Sequence, residues 1–185
     1  MSQRTALDTD RLSVGCSVVF MGVSGCGKSS LAAAVSADLG LPLVEGDDYH
    51  PEDSRAKMQR GIALTDADRS RWLDTLAGIL QSHPAGIVLT CSALKRAYRE
   101  RLRSASPNLR FVFMEVERVE AQRRVEARAV DHFFPPGLVA SQFATLESPV
   151  GERGVLRVQA TAALAELNAE VTQWLLAAGA AARPD

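Results

Sequence analysis

Residues 22–29 read GVSGCGKS and match the pattern G-x-x-x-x-G-K-[ST] at every position. In such a loop glycines let the backbone turn its N–H groups toward an anion, the lysine pairs with phosphates and the last hydroxyl can bind Mg²⁺. The apolar run SVVFM precedes the loop and the alanine-rich run SSLAAAV follows its lysine, which gives the strand-then-helix context that the mechanism requires. The predicted nucleotide-binding residues are Gly22, Val23, Ser24, Gly25, Cys26, Gly27, Lys28, Ser29 and Ser30. Lys28 is also the predicted catalytic cation, and Ser29 the predicted metal ligand.

Two carboxylates lie at the end of the next apolar run, in the segment VEGDDYHP. Glu45 and Asp47 are two residues apart, so on an extended segment both side chains leave the same face, beside the phosphate loop. One carboxylate can orient metal-bound water, while the other accepts the proton of an attacking hydroxyl. We assign these roles to Glu45 and Asp47 respectively. The alternative is a solvated acidic turn that caps the next helix, a role that suits Asp48 better than Asp47.

Basic residues further along the chain are candidates for holding an anionic acceptor. Arg69 is the candidate for a bidentate contact with such an acceptor. Either Lys95 or Arg96 is expected to face the acceptor pocket. Arg99 and Arg103 have the spacing of an ordinary exposed helix face, so we expect no role for them in the site.

A second basic segment, RRVEARAVDHFFPP, has the features of a closing lid at about 123–140. Arg124 and Arg128 lie four residues apart, on one helix face that leads into a loop. Arginines in a lid neutralise charge on the transferring phosphoryl group and help to exclude water. His132 is either a hydrogen-bonding residue of this lid or a structural histidine. The alternative for the arginine pair is a solvated helix face.

The elements that must position these residues alternate along the chain. Short apolar runs predict strands at 17–21, 43–45, 87–91, 110–114 and 155–158. Helical patterns lie at 28–39, 65–81, 95–104, 117–129, 136–146 and 161–177. Strands alternating with helices predict an α/β fold of three layers, in which a parallel sheet is covered on both faces. We expect one domain at 15–178, with a disordered segment at 1–14 and a flexible tail at 179–185.

Composition narrows the function classes. The net charge of −1 and the isoelectric point near 6.3 argue against a nucleic-acid partner. Because the sequence shows neither a signal peptide nor an apolar run long enough to span a bilayer, we expect a cytoplasmic protein without a membrane partner. The three cysteines are too scattered for a disulfide framework, so we expect free buried thiols. Cys26 lies beside Lys28, which could make it oxidisable.

Five segments together resemble the gluconokinase family: MGVSGCGKSS, EGDDYHP, KMQRGIALTDADRSRWL, CSALKRAYRERLR and HFFPPGLVASQFATLESP. The resemblance implies transfer of the γ-phosphoryl group of ATP to the 6-hydroxyl of D-gluconate by a homodimer. It also implies a nucleoside-monophosphate-kinase-like fold with a five-stranded parallel sheet and a helical lid. The positions that match the family's acceptor side are Asp47, His50, Arg69 and Lys95. Arg124 and Arg128 match its lid pair, and Pro149 lies where the family packs near adenine.

Two other functions remain open at this point. The first is a kinase of the same fold that acts on another hydroxy acid, such as shikimate. The second is a nucleotide-binding sensor with little turnover, for which Cys26 is the candidate gate. A GTPase switch is disfavoured because neither asparagine, Asn108 nor Asn168, is followed by the lysine of a guanine-binding NKxD motif.

Overall fold

The structure is a computed structural model, and it describes residues 17–127, 135 and 137–180. Five strands form one parallel sheet in the order β2-β3-β1-β4-β5. They are β1 Val18–Met21, β2 Leu43–Glu45, β3 Val88–Thr90, β4 Arg110–Glu115 and β5 Val155–Gln159. The predicted parallel sheet is therefore confirmed, with strand ends shifted by no more than a residue.

Seven α-helices lie in the described part of the chain. They are α1 Lys28–Leu39, α2 Glu52–Gln59, α3 Asp66–Ser82, α4 Arg96–Ala105, α5 Arg118–Ala127, α6 Leu138–Thr145 and α7 Leu164–Ala180. A 3₁₀ turn, Gly46–Tyr49, connects β2 to α2. The turn and α2 were not predicted, because α2 is largely polar and buries only Ser54 and Met58. No helix within these described ranges is long and apolar enough to cross a membrane.

The sheet separates two apolar clusters, one on each face. Along β1, Val18 and Phe20 belong to the cluster that includes residues of α1 and α7, whereas Val19 and Met21 belong to the cluster that includes residues of α3 and α4. All four side chains are fully buried. A strand covered on both faces reads as a continuous apolar run, which is why SVVFM gave a clear signal.

The parallel strands bring several loops to one edge of the sheet. β1 pairs with β3, and β3 pairs with β2, all in the same direction. The segments that follow these three strands therefore leave at neighbouring positions on the carboxyl edge. These segments are the phosphate loop, the 3₁₀ turn and residues 91–95.

Candidate active site

The phosphate loop connects β1 to α1 and packs tightly against the protein. Gly25 has a φ of 82°, and a Cβ at this position would lie 2.6 Å from the Ala121 carbonyl oxygen of α5. Any other residue would both strain the backbone and clash with α5. The loop therefore depends on glycine at this position, which the pattern G-x-x-x-x-G-K-[ST] leaves open.

Lys28 is the first residue of α1, and its side chain folds back over the loop. Its ammonium donates to the carbonyl oxygens of Gly22 and Val23 at 3.1 and 3.0 Å. The Cys26 sulfur lies 3.9 Å from the same nitrogen. A positive charge at the start of a helix favours the binding of phosphate, because the helix N-terminus also carries a partial positive charge.

The cysteine predictions divide between described and undescribed residues. Cys26 and Cys91 are free and buried, as predicted. Burial raises the pKa of the Cys91 thiol to about 12. Oxidation of Cys26 remains a prediction, and Cys16 lies outside the described residues.

A cavity of about 130 Å³ lies beside the loop, and we call it the donor pocket. Its lining residues are Ser24, Gly25, Gly27, Lys28, Ser29, Ser30, Glu45, Asp47, Thr90 and Val125. Five predicted nucleotide-binding residues besides Lys28 are among them. The structure thus brings the phosphate loop and both predicted carboxylates to one cavity.

Hydroxyl and carboxylate oxygens meet on one wall of the donor pocket. Ser29 donates through Oγ to Glu45 Oε2 at 3.0 Å, and Thr90 donates through Oγ1 to the same oxygen at 2.6 Å. The Gly46 N–H donates to Thr90 Oγ1 at 3.2 Å, which fixes that hydroxyl. Mg²⁺ prefers such oxygen ligands and binds through one or two carboxylates together with substrate phosphates. The residues present therefore fit the predicted metal.

Asp47 differs from its prediction in conformation. It lies in the 3₁₀ turn and not on an extended segment. Gly46 begins the turn and has no room for a side chain, because a Cβ there would lie 2.1 Å from the Thr90 carbonyl oxygen. Trp72 Nε1 donates to the Gly46 carbonyl at 2.7 Å. The Asp47 side chain is 71% exposed, and it still lines the donor pocket together with Glu45.

A second cavity, the acceptor pocket, adjoins the first. Its lining residues are Ser24, Lys28, Asp47, His50, Met58, Ala63, Leu64, Arg69, Ser92, Leu138, Ser141 and Gln142. Ser24, Lys28 and Asp47 line both pockets. The boundary between the pockets is therefore formed by the loop, its lysine and one carboxylate.

His50 is held in the acceptor pocket by an aromatic partner. Its ring stacks on Trp72 with centroids 4.1 Å apart and an angle of 17° between the planes. Burial lowers the pKa of His50 to about 4; Asp47 opposes this shift, while Arg69 and Arg55 add to it. The buried Nδ1 has no hydrogen-bond partner among the described residues. His50 is therefore a neutral imidazole at pH 7.

The two basic residues predicted for the acceptor have different surroundings. Arg69 is half-buried, lines the acceptor pocket and donates through Nη1 to the Leu64 carbonyl. Lys95 donates to both oxygens of Asp66 at 2.7 and 2.8 Å, and this hydrogen bonding raises the lysine pKa and lowers that of Asp66. Within the described residues, Arg69 lines the acceptor pocket, whereas Lys95 lines neither pocket. A contact between Lys95 and the acceptor remains a prediction.

The lid predictions fall mostly on residues that the structure does not describe. Arg124 donates to Glu120 at 2.6 Å and to the Ala160 carbonyl at 3.0 Å, and within the described ranges it lines neither pocket. Arg128 and His132 lie outside the described residues, as does part of the predicted lid at 123–140. Pro149 is buried in the segment between α6 and β5. The roles of all four residues remain predictions.

Arg99 is not on an exposed helix face, and that prediction is wrong. Its side chain is fully buried, and it donates through Nε and Nη2 to both oxygens of Glu152 at 2.5–3.2 Å. Arg103 reaches the same carboxylate at 2.9 Å. These residues line a cavity of about 660 Å³ along α4.

Sequence reasoning missed two residues of the site. Thr90 ends β3 and holds Glu45, as described above. Gln142 is in α6, and its Oε1 accepts a hydrogen bond from the Ser24 N–H at 2.6 Å. Gln142 lies in a segment that resembles the gluconokinase family, but nothing in its spacing connects it to a loop 118 residues earlier.

The phosphate loop after β1, the carboxylates after β2 and an adjoining polar pocket define a P-loop kinase. A family model described as an AAA domain matches residues 18–149. The gluconokinase of Gluconobacter oxydans (strain 621H) is 43% identical over 144 residues, which cover 76% of this chain and 80% of that protein. The chain belongs to the gluconokinase family.

Two further relatives extend the similarity over more of the chain. The thermosensitive gluconokinase of Escherichia coli (strain K12) is 35% identical over 168 residues, covering 88% of this chain and 89% of that protein. The crystal structure of a gluconokinase from Sinorhizobium meliloti 1021 matches with a TM-score of 0.78 and 40% identity. That match covers 91% of this chain and 93% of the other. The predicted family and fold class are both confirmed.

Proposed function

We propose that this chain transfers the γ-phosphoryl group of ATP to D-gluconate and forms 6-phospho-D-gluconate. The observation that carries the proposal is the shared boundary of the two pockets, where Asp47 and Lys28 face both cavities. The relatives named gluconokinase support gluconate as the acceptor. The acidic character of gluconate also suits a pocket lined by Arg69.

The reaction needs a proton acceptor and a means of stabilising negative charge. In the proposal, Asp47 accepts a hydrogen bond from the 6-hydroxyl and takes its proton late in the transfer. The hydroxyl oxygen forms the new bond to the γ-phosphorus while the bond from that phosphorus to the bridging oxygen breaks, which releases ADP. Lys28 and the N–H groups of the loop stabilise the charge on the phosphoryl oxygens.

Mg²⁺ belongs to the same proposal. The Ser29 hydroxyl would bind it directly, and Glu45 would hold it through water. When bound, the ion neutralises negative charge on the phosphates of the donor. The contacts among Ser29, Glu45 and Thr90 support this assignment, because they place hard oxygen ligands on one wall of the donor pocket.

Acceptor recognition is proposed for three residues around the second pocket. His50 offers a neutral ring nitrogen to a hydroxyl of gluconate, which is consistent with its lowered pKa. Arg69 pairs with the carboxylate of gluconate, and Lys95 approaches the same group if it leaves Asp66.

The remaining assignments rest on the family resemblance. Arg124, Arg128 and His132 act in a lid that closes over the phosphates, and Pro149 packs near adenine. We also propose that the protein is a cytoplasmic homodimer. Sedimentation of the purified protein should give the mass of two chains.

The experiment is a coupled assay of ADP release with a panel of hydroxy acids. We expect release that depends on D-gluconate, with little release for shikimate or without an acceptor. Lys28→Ala serves as the control for activity from contaminants. Phosphorylation of shikimate alone would replace gluconate as the acceptor. Tight ATP binding with no acceptor-dependent turnover would instead support the nucleotide sensor.

A further inference from the structure

One hydrogen bond connects the phosphate loop to α6. The backbone N–H of Ser24 donates to Gln142 Oε1 at 2.6 Å. Ser24 lies in the loop and lines both pockets, whereas Gln142 lines the acceptor pocket. The bond therefore lies at the place where donor and acceptor must meet.

The position of Ser24 makes its N–H a candidate donor to the terminal phosphate. The transferred group must pass from one pocket to the other, and Ser24 is part of the boundary that they share. Backbone N–H groups of such a loop bind phosphate oxygens. A single N–H makes one well-aligned hydrogen bond, so a phosphate oxygen and Gln142 Oε1 compete for it.

The helix that carries Gln142 is anchored independently of this bond. Leu138 and Val139 are 5% and 0% exposed, and Phe143 packs against the core cluster on the α1 face. The Gln142 carbonyl also accepts the hydrogen bond of the Leu146 N–H at 2.9 Å. The side chain of Gln142 can therefore turn while α6 stays in place.

A glutamine carboxamide has an accepting oxygen and two donor hydrogens. Once a phosphate oxygen takes the Ser24 N–H, the carboxamide of Gln142 lacks its partner. A ligand in the acceptor pocket offers a new partner, because Gln142 already lines that pocket together with His50 and Ser141. Hydroxyls of a polyhydroxy acid can both donate to and accept from such a group.

We propose that Gln142 is a positioning residue that couples the two pockets. It holds the Ser24 N–H until the terminal phosphate of the donor displaces it, and it then hydrogen-bonds a hydroxyl of the acceptor. The acceptor half of this inference rests on the proposed function. The donor half does not, because it concerns only the competition for one N–H.

The donor half is tested by calorimetry without an acceptor. Dissociation constants are measured for ADP and for a non-hydrolysable ATP analogue. Gln142→Ala should tighten binding of the analogue about fivefold, the value of one net hydrogen bond, and leave ADP unchanged. Gln142→Glu should weaken binding of the analogue, because a carboxylate holds the N–H more strongly and repels phosphate. Gln122→Ala, on a half-buried glutamine that donates to Glu126, is the control and should change neither constant.

The acceptor half is tested by the effect of the donor on gluconate binding. In the unmodified protein, gluconate should bind at least about fivefold more tightly with the ATP analogue than with ADP. In Gln142→Ala this ratio should fall to near one, with a higher KM for gluconate. The inference is overturned if Gln142→Ala weakens binding of the analogue or leaves both the analogue affinity and the ratio unchanged. Absence of gluconate phosphorylation by the unmodified protein would refute the proposed function, while the donor measurement would still test the competition.

Discussion

The buried ion pair between Arg99 and Glu152 allows a stability prediction whose size follows from the structure. Arg99 is fully buried, and besides Glu152 it binds the Ala93 and Leu94 carbonyl oxygens through Nη1 at 2.9 and 3.1 Å. In Glu152→Gln, an amide N–H₂ donor replaces one accepting oxygen and faces guanidinium donors. Breaking a buried pair costs about 3–5 kcal/mol. Because glutamine keeps one acceptor, we expect the free energy of unfolding to fall by about 3 kcal/mol, the lower end of that range.

The assay is thermal unfolding followed by circular dichroism at pH 7. For a domain of this size, 1 kcal/mol corresponds to about 2–4 °C, so Tm should fall by about 6–12 °C. Glu100→Gln is the matched control, because Glu100 also pairs with Arg103 but its side chain is 53% exposed. An exposed pair contributes less than about 1 kcal/mol, so this variant should lose no more than about 4 °C. Equal shifts in the two variants would refute the argument from burial.

Two further predictions concern the turn and the histidine of the acceptor side. Gly46→Ala should destabilise the protein by about 1–3 kcal/mol, because the added Cβ would meet the Thr90 carbonyl oxygen. Gly78→Ala is the control and should not destabilise the protein, because Gly78 has open space around it in α3. Equal Tm values for the two variants would contradict this. Since the pKa of His50 is lowered to about 4, only the unfolded chain gains a proton at this site as the pH falls from 6.5 to 4. The free energy of unfolding should therefore fall by on the order of 3 kcal/mol in that window. In His50→Gln, urea titrations at several pH values should show a free energy of unfolding that depends less on pH. An unchanged pH dependence would count against the buried neutral ring.

The sequence predicted most of the fold because the central strands β1, β3 and β4 are largely buried on both faces. The strand VVFM, Val18–Met21, contains none of the alternating polar residues that a half-exposed strand would show, so it marks a central strand of a parallel sheet. The helical pattern at 65–81 likewise predicted α3, which begins at Asp66 after a capping box formed by Thr65 and Asp68. The 3₁₀ turn was missed because it depends on the contact between Gly46 and Thr90, residues 44 positions apart.

The site was predictable where chemistry depends on local spacing. The phosphate loop is one continuous segment, and Glu45 and Asp47 lie at the end of β2, which only β3 separates from β1, so the parallel sheet brings them to the same edge. Arg99 was misjudged because helical spacing cannot reveal a partner such as Glu152, 53 residues away. Gln142 was missed for the same reason, since its contact with the loop exists only after α6 has packed.

The central claim is that Asp47, at the boundary of the two pockets, accepts the proton of the attacking hydroxyl. The most direct measurement is gluconate-dependent ADP release by Asp47→Asn, together with calorimetric binding of the ATP analogue. We expect kcat to fall about 100-fold, the usual effect of losing a positioned base. Affinity for the analogue should stay within about twofold of the original, because the loop and Lys28 are unchanged. An unchanged kcat, or an equal loss of nucleotide affinity, would contradict the assignment of Asp47 as the base.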